Sequence, residues 1–327
     1  MPARNQFPKD IVSLIRDPQA FNRAMTLLQS LERTEIITSE GERIPLRASD
    51  NNAIFDLRTE RQGAIPQEPT NFLHWETIIW RDRALALFGS FGENSIARAD
   101  ALIRAINGKA YNDKILWMLP FLGGDRVTCC VPLRDFMNAG ATGISGGGGV
   151  CNETNGFSQS AEGLRISTNF KASDVFTTRG SIGLGYWERS FTNNPPNIAF
   201  GSYNTDGNAR VALQLFTTGI TFYGVLGVPG SYNYLSATTT PNSHHYAQAN
   251  VGDLFIFQNG IGVANGANAT GAPAFTENGL EIHTDDFGFT YNGRCAVAYV
   301  TSGDMTIAEV ADFHSLLGTY LITPTGR

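Results

Sequence analysis

A short alternating run near the C-terminus carries the best spaced acid–base groups of the sequence. Glu281, His283 and Asp285 alternate along a predicted strand. Their side chains therefore share one face, and each lies about 7 Å from the next member of the set. A retaining glycosidase needs two carboxyl groups about 5 Å apart. Because a histidine stands between the two carboxylates, the run disfavours hydrolysis, and we predict no catalytic residues.

Metal and nucleophile patterns are weaker still. His283 with Asp285 and Asp286, joined by His244 and His245, has the residue types of a metal site, with Ca²⁺ more compatible than Zn²⁺ because the loops are rich in oxygen. No spacing demands such a site, so we predict neither a metal nor another cofactor. The glycine run 143–149 lacks the lysine of a phosphate-binding loop and is interpreted as a turn.

Four cysteines, at positions 129, 130, 151 and 295, show no CxxC pair and no zinc-ligand spacing. Cys129 and Cys130 are adjacent, so in a strand their side chains point to opposite faces. Two interpretations stay open: free thiols packed in the core, or one outward thiol that cross-links a neighbouring subunit.

Aromatic rings among small polar residues favour carbohydrate binding, because sugars stack on a ring face and bond to fixed polar groups. The segment Pro229–Gln248 is the richest in such rings, and Trp187 lies near another strand end. The predicted carbohydrate-binding residues are Tyr232, Tyr234, His244, His245, Tyr246 and Trp187. The alternative is that these rings fill the core or a subunit interface.

Composition excludes several classes of protein and divides the chain. The 327 residues have a net charge of -6, which gives no basic face for nucleic acid. No run of about twenty apolar residues is present to insert into a membrane, and charges interrupt the N-terminal apolar runs, unlike a signal peptide. Only five of the 35 glycines lie in residues 1–110. We therefore predict two domains, 1–110 and 111–327.

The first 110 residues have helical patterns. Apolar spacing predicts helices over about 18–33, from Asn71 to Phe88, and from Asn94 or Ser95 to Gly108. The segment 43–67, with its prolines, is predicted to be an irregular crossing or a short hairpin. This part is interpreted as an anchoring or oligomerisation module, or as a small helical domain packed on the second domain.

The remainder has the pattern of an antiparallel β-sandwich followed by a helix from Thr306. Short apolar runs alternate with turn signals such as Asn259-Gly260. The predicted strands are Ile115–Leu119, Val127–Val131, Gly163–Thr168, Gly180–Arg189, Asn197–Tyr203, Arg210–Phe216, Ile220–Val225, Asp253–Gln258, Leu280–His283 and Gly293–Thr301. The fold class predicted for the whole chain is α+β, with a helical module, a sandwich and a C-terminal helix.

The order of these segments over residues 111–327 resembles the concanavalin A-like (LamG-like) jelly-roll domains of bacteriophage virion proteins. The clearest part is the strand-to-helix ending at Ser302–Glu309, preceded by SIGLGYWERS and DLFIFQNG. Jelly-roll glycosidases carry Glu-x-Asp-x-Glu on one strand, a pattern that this sequence breaks at His283 and Asp285.

The resemblance implies a non-enzymatic virion structural protein, a tail, collar or head fibre made in the host cytoplasm. It would contact other virion proteins through residues 1–110, form a homotrimer and display the jelly roll to a host-surface glycan. A free-standing adhesin or lectin is the alternative, and a polysaccharide hydrolase is a third.

Overall fold

The structure is a computed structural model. It describes residues 34–37, 43–46, 73–137, 140, 142–145, 150–153, 156–158, 165–169, 171–191, 197–203, 210–216, 219–223, 234–238, 240, 242–250, 252–267, 279–284 and 293–322. The predicted helix over about 18–33 lies outside these residues.

The chain divides into two compact units, Met1–Phe72 and Leu73–Arg327. In the first unit, β1 (Thr34–Ile37) and β2 (Arg43–Leu46) pair antiparallel, from Thr34 opposite Leu46 to Ile37 opposite Arg43. Strand β2 thus lies at the start of segment 43–67, which was predicted to be an irregular crossing or a short hairpin, and it pairs with β1.

The second unit contains two antiparallel sheets. The larger has the strand order β16-β15-β14-β9-β18-β3-β4, and the smaller has the order β13-β12-β11-β10-β17-β8-β5. Their bounds are β3 Ile115–Leu119, β4 Arg134–Asp135, β5 Gly143–Ser145, β6 Val150–Asn152, β7 Gly156–Ser158, β8 Arg165–Ser167, β9 Ser181–Phe191, β10 Asn197–Tyr203, β11 Arg210–Phe216, β12 Gly219–Tyr223, β13 Tyr234–Thr238, β14 His244–Asn250, β15 Asp253–Gln258, β16 Ile261–Ala267, β17 Glu281–Thr284 and β18 Gly293–Thr301. Strands β6 and β7 form a hairpin that joins the larger sheet at β18.

Among the described residues, four α-helices accompany the sheets: α1 Trp75–Ala86, α2 Ser95–Asn107, α3 Ala172–Arg179 and α4 Ile307–Leu317. Helix α4 begins with a complete capping box, in which Thr306 and Glu309 bond each other's backbone N–H groups. The predicted fold class, α+β with an antiparallel sandwich and a C-terminal helix, is confirmed.

Two apolar cores result from this layering. One lies between the sheets and includes Leu184 and Phe200. The other lies between the larger sheet and the helices and includes Ile103, Tyr299 and Phe313. Helices α1 and α2 therefore place their apolar faces in the second unit's own core. This is why the contact boundary falls at Phe72 and Leu73, whereas the composition changes near residue 110.

Several elements differ from the sequence predictions. Residues 128–130 of the predicted strand Val127–Val131 form a 3₁₀-helix, where Asp125 accepts the Thr128 N–H at 2.8 Å and replaces a strand partner. Helix α3 and strands β1, β4–β7, β13, β14 and β16 were not predicted. Strand β14 has the sequence HHYAQAN, whose polarity suggests a loop, although its first six residues are all buried.

Glycines inside strand β9 set the contact between the larger sheet and its aromatic layer. Gly183 and Gly185 alternate with the core residues Ile182 and Leu184. A Cβ at Gly185 would overlap the ring of Tyr299, and one at Gly183 would overlap the end of Tyr246. Only glycine lets these rings lie directly against the strand backbone.

A buried ion pair connects helix α1 to the edge of the larger sheet. Arg134 Nε donates to Glu76 Oε2 at 2.8 Å, and its Nη2 donates to Glu76 Oε1 at 2.9 Å. Asn107 Oδ1 and the Asn112 carbonyl accept the remaining bonds, at 2.6 and 2.9 Å. Arg134 has no exposed side-chain surface and Glu76 keeps 4 %, so each charge is compensated only by this network.

We expect Gly185→Ala to destabilise the protein by about 1–3 kcal/mol, because the added methyl group forces the Tyr299 ring out of place. Gly143→Ala is the matched control, since a Cβ there meets no atom of the described residues within 4 Å. Denaturant unfolding measures both variants, and equal stabilities would contradict the account of strand β9.

Arg134→Met should cost about 3–5 kcal/mol, because it leaves the Glu76 carboxylate buried without its partner. Arg81→Met removes an arginine from the exposed Arg81–Asp82 pair on the same helix and should change the free energy of unfolding by about 0.5 kcal/mol or less. A similar loss in both variants would show that the buried pair has no special role.

Candidate functional site

The structure brings four of the six predicted carbohydrate-binding residues together on two adjacent strands. His244, His245 and Tyr246 begin strand β14, and His244 pairs in register with Trp187 of strand β9. The two histidines and Tyr246 each keep 1 % of their surface exposed. They occupy the core, which is the alternative that the sequence left open for these rings.

His244 belongs to a hydrogen-bonded chain beneath helix α4. Its Nε2 lies 2.6 Å from the Tyr299 hydroxyl, and its Nδ1 lies 3.2 Å from Nδ1 of His314. The indole of Trp187 stacks on both imidazoles, at centroid distances of 5.1 and 4.9 Å. One imidazole must donate and the other accept, so the chain has two tautomeric arrangements.

Burial keeps the imidazoles of this hydrogen-bonded series neutral. Burial lowers the pKa of His244 well below its usual 6.5, and the nearby His314 and His245 lower it further. Burial also lowers the pKa of His314. Both rings are therefore uncharged at neutral pH, and they fix helix α4 to the sheet rather than present a surface to a ligand.

His245 faces the other side of the sheet, where it approaches Glu188. Its Nε2 lies 3.6 Å from Glu188 Oε2, which also accepts the Asn242 N–H at 3.2 Å. Within the described part of the chain, Glu188 Oε1 and both His245 nitrogens have no hydrogen-bond partner. Both side chains are at least 97 % buried, so a glycan in solvent does not reach this pair.

Tyr234 is the exposed member of the predicted set. It opens strand β13 with 60 % of its surface exposed, and Ser236 and Thr238 follow on the same outward face. The Ser236 hydroxyl is held at 2.8 Å from that of Thr221 on the neighbouring strand. The arrangement offers a ring face beside fixed hydroxyl groups. Tyr232 lies outside the described residues.

Strand β17 contains Glu281 and His283, the first two residues of the alternating run. Ile282 points into the core between the sheets, so Glu281 lies on the outer face, where its Oε1 accepts a bond from the Ser167 hydroxyl at 3.0 Å. His283 lies two positions further along the strand, and Asp285 and Asp286 lie outside the described residues. Among the residues with assigned positions, no three histidine, cysteine or acidic side chains cluster in a way that would hold a metal ion.

The cysteines are all buried and none is in a disulfide. Burial raises the pKa of the Cys130 thiol to about 12, and burial likewise raises the pKa of Cys295. Thiols with raised pKa values are poor nucleophiles at neutral pH. The described cysteines therefore correspond to the packed free thiols of the first interpretation.

No helix in the described part of the chain is long and apolar enough to cross a bilayer.

The sequence pattern did not indicate the role of His314. That role could have been inferred from its position four residues after the buried Val310, which places His314 on the face of helix α4 that packs against the sheet.

No protein-family profile and no curated protein matches the chain. Solved botulinum neurotoxin domains are similar in fold. The receptor-binding domain of type G is 11% identical with a TM-score of 0.45, covering 62% of this chain and 51% of that chain. The binding domain of type DC, solved with rat synaptotagmin II, is 13% identical with a TM-score of 0.45, covering 64% and 52%. The chain thus spans about half the length of these structures, and no residue role is transferred from them.

The neutral imidazole chain predicts a stability that falls in acid. Unfolded histidine has a pKa near 6.5 and the folded values of His244 and His314 are lower, so below that pH the unfolded state binds more protons. The free energy of unfolding should decrease from about pH 6.5 downward, until the folded pKa values are passed.

His314→Gln should make this pH dependence shallower in denaturant unfolding between about pH 7 and pH 5. It should not abolish it, because burial also lowers the pKa of His74. Tyr299→Phe is the control, since it removes a hydrogen bond but no group that titrates in this range. A slope for His314→Gln equal to that of the unmodified protein would contradict the prediction.

Proposed function

We propose that the protein is a non-enzymatic attachment protein of a bacteriophage virion, which displays its β-sandwich to a host-surface glycan. The observation that carries the binding role is Tyr234, an exposed ring on a sheet that also holds Ser236 and Thr221 in fixed hydrogen bonds. Rigid strands position such groups without the entropy cost of ordering a loop.

The buried ionisable groups described above support a structural role rather than a catalytic one. Glu76 is engaged by Arg134, the His244 imidazole is enclosed by Trp187 and Tyr299, and Glu188 is buried with His245. A catalytic acid or base must lie within hydrogen-bond reach of its substrate. These groups stabilise layers of the fold and are closed to a polymeric substrate.

Contacts with other virion proteins are assigned to residues 1–110. Within the described part of that range, Phe88 keeps 95% of its surface exposed and Leu85 keeps 52%. Phe88 also adopts a left-handed backbone with φ of 62°, which is unfavourable for a bulky residue. A strained and exposed phenylalanine supports a role in contacting a partner. The resemblance further implies a homotrimer.

A free-standing lectin and a polysaccharide hydrolase are distinguished from this proposal by two observations. A density map of an intact particle would show the sandwich attached through its N-terminal part if the protein belongs to a virion. A lectin would be absent from every particle. For the hydrolase, Glu281 is the one described carboxylate of the alternating run, and release of reducing sugar that Glu281→Gln abolishes would overturn the non-enzymatic assignment.

Tyr234→Ala should weaken glycan binding by about tenfold, a loss of about 1.4 kcal/mol, because it removes the stacking ring and leaves the strand intact. Phe88→Ala is the matched control, since it removes another exposed aromatic ring outside the sandwich strands. Calorimetric titration with the glycan that scores highest on an array measures both variants. Unchanged affinity for Tyr234→Ala would refute this site.

A further inference from the structure

A long stretch of the second unit is almost free of charged residues. Residues 211–276 are 66 residues long, and of the chain's 24 basic and 30 acidic residues only Asp253 falls among them. Charged residues make up 17% of the whole chain, so this stretch departs far from the average. We call residues 211–276 the charge-poor tract.

In the fold, the charge-poor tract forms one side of the sandwich. It supplies strands β12 and β13 and all but the first residue of β11 in the smaller sheet, and strands β14, β15 and β16 in the larger sheet. The terminal strands β13 and β16 lie together, with the Leu235 side chain against Gly266. The low charge therefore belongs to one continuous region of the molecule.

The ring proposed to stack on a sugar lies on this side. Tyr234 begins strand β13, and Ser236 and Thr238 follow it with exposed side chains. The neighbouring strand β12 holds Thr221, whose hydroxyl lies 2.8 Å from that of Ser236. These two strands therefore offer a ring face and hydroxyl groups, which are the partners that neutral sugars use.

The described carboxylates around this side oppose an acidic ligand. Asp253 is exposed at the start of strand β15, opposite Ala267 of β16. Glu281 shares a row with Tyr234 across the smaller sheet, four strands away or about 19 Å at the usual strand spacing. The whole chain has a net charge of -6, and a field of that sign repels an anionic ligand.

We infer that the glycan bound at Tyr234 is uncharged, an inference that rests on the glycan-binding role proposed above. An ionised carboxylate or sulfate on a sugar must exchange its hydration for charge-assisted hydrogen bonds, which Lys and Arg supply. The charge-poor tract contains neither residue. A sugar with hydroxyl or acetamido groups needs only the ring face and neutral hydrogen-bonding groups. The ligand class is therefore a neutral surface saccharide without uronic acid, sialic acid or sulfate.

Paired glycans that differ only in one ionised group test the inference. The full chain is titrated by calorimetry with a neutral oligosaccharide selected on an array, and with its carboxylated or sulfated derivative. We expect the neutral member to bind at least about tenfold more tightly. Its affinity should change by less than about twofold between about 50 mM and 500 mM NaCl, because binding forms no ion pair for salt to screen.

Thr238→Lys is the informative variant, because it adds a cation to the exposed face that holds Tyr234. It should reduce the preference for the neutral glycan and make binding of the acidic derivative weaken as salt rises. Thr238→Gln is the matched control, since it lengthens the side chain without a charge and should have neither effect.

Tighter binding of the acidic derivative by the unmodified protein, or an affinity for the neutral glycan that falls steeply with salt, would overturn the inference. If Tyr234→Ala weakened that binding, the glycan-binding role would stand and only the ligand class would be wrong. Unchanged affinity in Tyr234→Ala, or no binding of any glycan, would overturn both. The paired titration of the unmodified protein decides the matter if Thr238→Lys does not fold.

Discussion

The second unit depends on how closely aromatic rings approach the centre of its larger sheet. Gly183 and Gly185 on strand β9 leave room for Tyr246 and Tyr299 to lie across the backbone. The two rings form the surface against which helices α2 and α4 pack. On its other face the same strand supplies Ile182, Leu184 and Tyr186 to the core between the sheets. One strand thus serves both cores, and a methyl group on its helix side would separate the layers.

Polar groups within the fold serve mainly to hold layers together. The Arg134–Glu76 pair joins helix α1 to strand β4, and the chain of Tyr299, His244 and His314 joins strand β18 to helix α4 through strand β14. Buried polar groups that are fully bonded favour one arrangement of the layers over others. Tyr234 and Phe88, by contrast, remain exposed, and they are the residues that we propose to act in recognition.

Sequence patterns predicted much of the fold and little of the site. The capping residues of helix α4 and the short apolar runs of strands β3 and β18 are local signals, so they could be found without tertiary information. Strand β14 was missed because its burial comes from helix α4 on one side and the smaller sheet on the other, which no local pattern reports. Gly183 and Gly185 lie inside the predicted strand Gly180–Arg189, but no local pattern indicates that aromatic rings pack against them. For the same reason His244 and Tyr246 suggested an exposed loop, and their packing against Trp187 and Thr301 depends on contacts between distant parts of the chain.

The pairing of β3 with β18 within the larger sheet has a consequence for how the chain is made. Residues at the start of the second unit contact its end, and Lys109 bonds Asp312, a residue 203 positions later in the chain. During synthesis the ribosome releases β18 and helix α4 long after α1, α2 and β3, which therefore have no complete core until those later elements emerge. Folds with such distant contacts form slowly. The nascent protein must therefore keep the apolar faces of α1 and α2 apart from other chains until β18 and α4 have emerged.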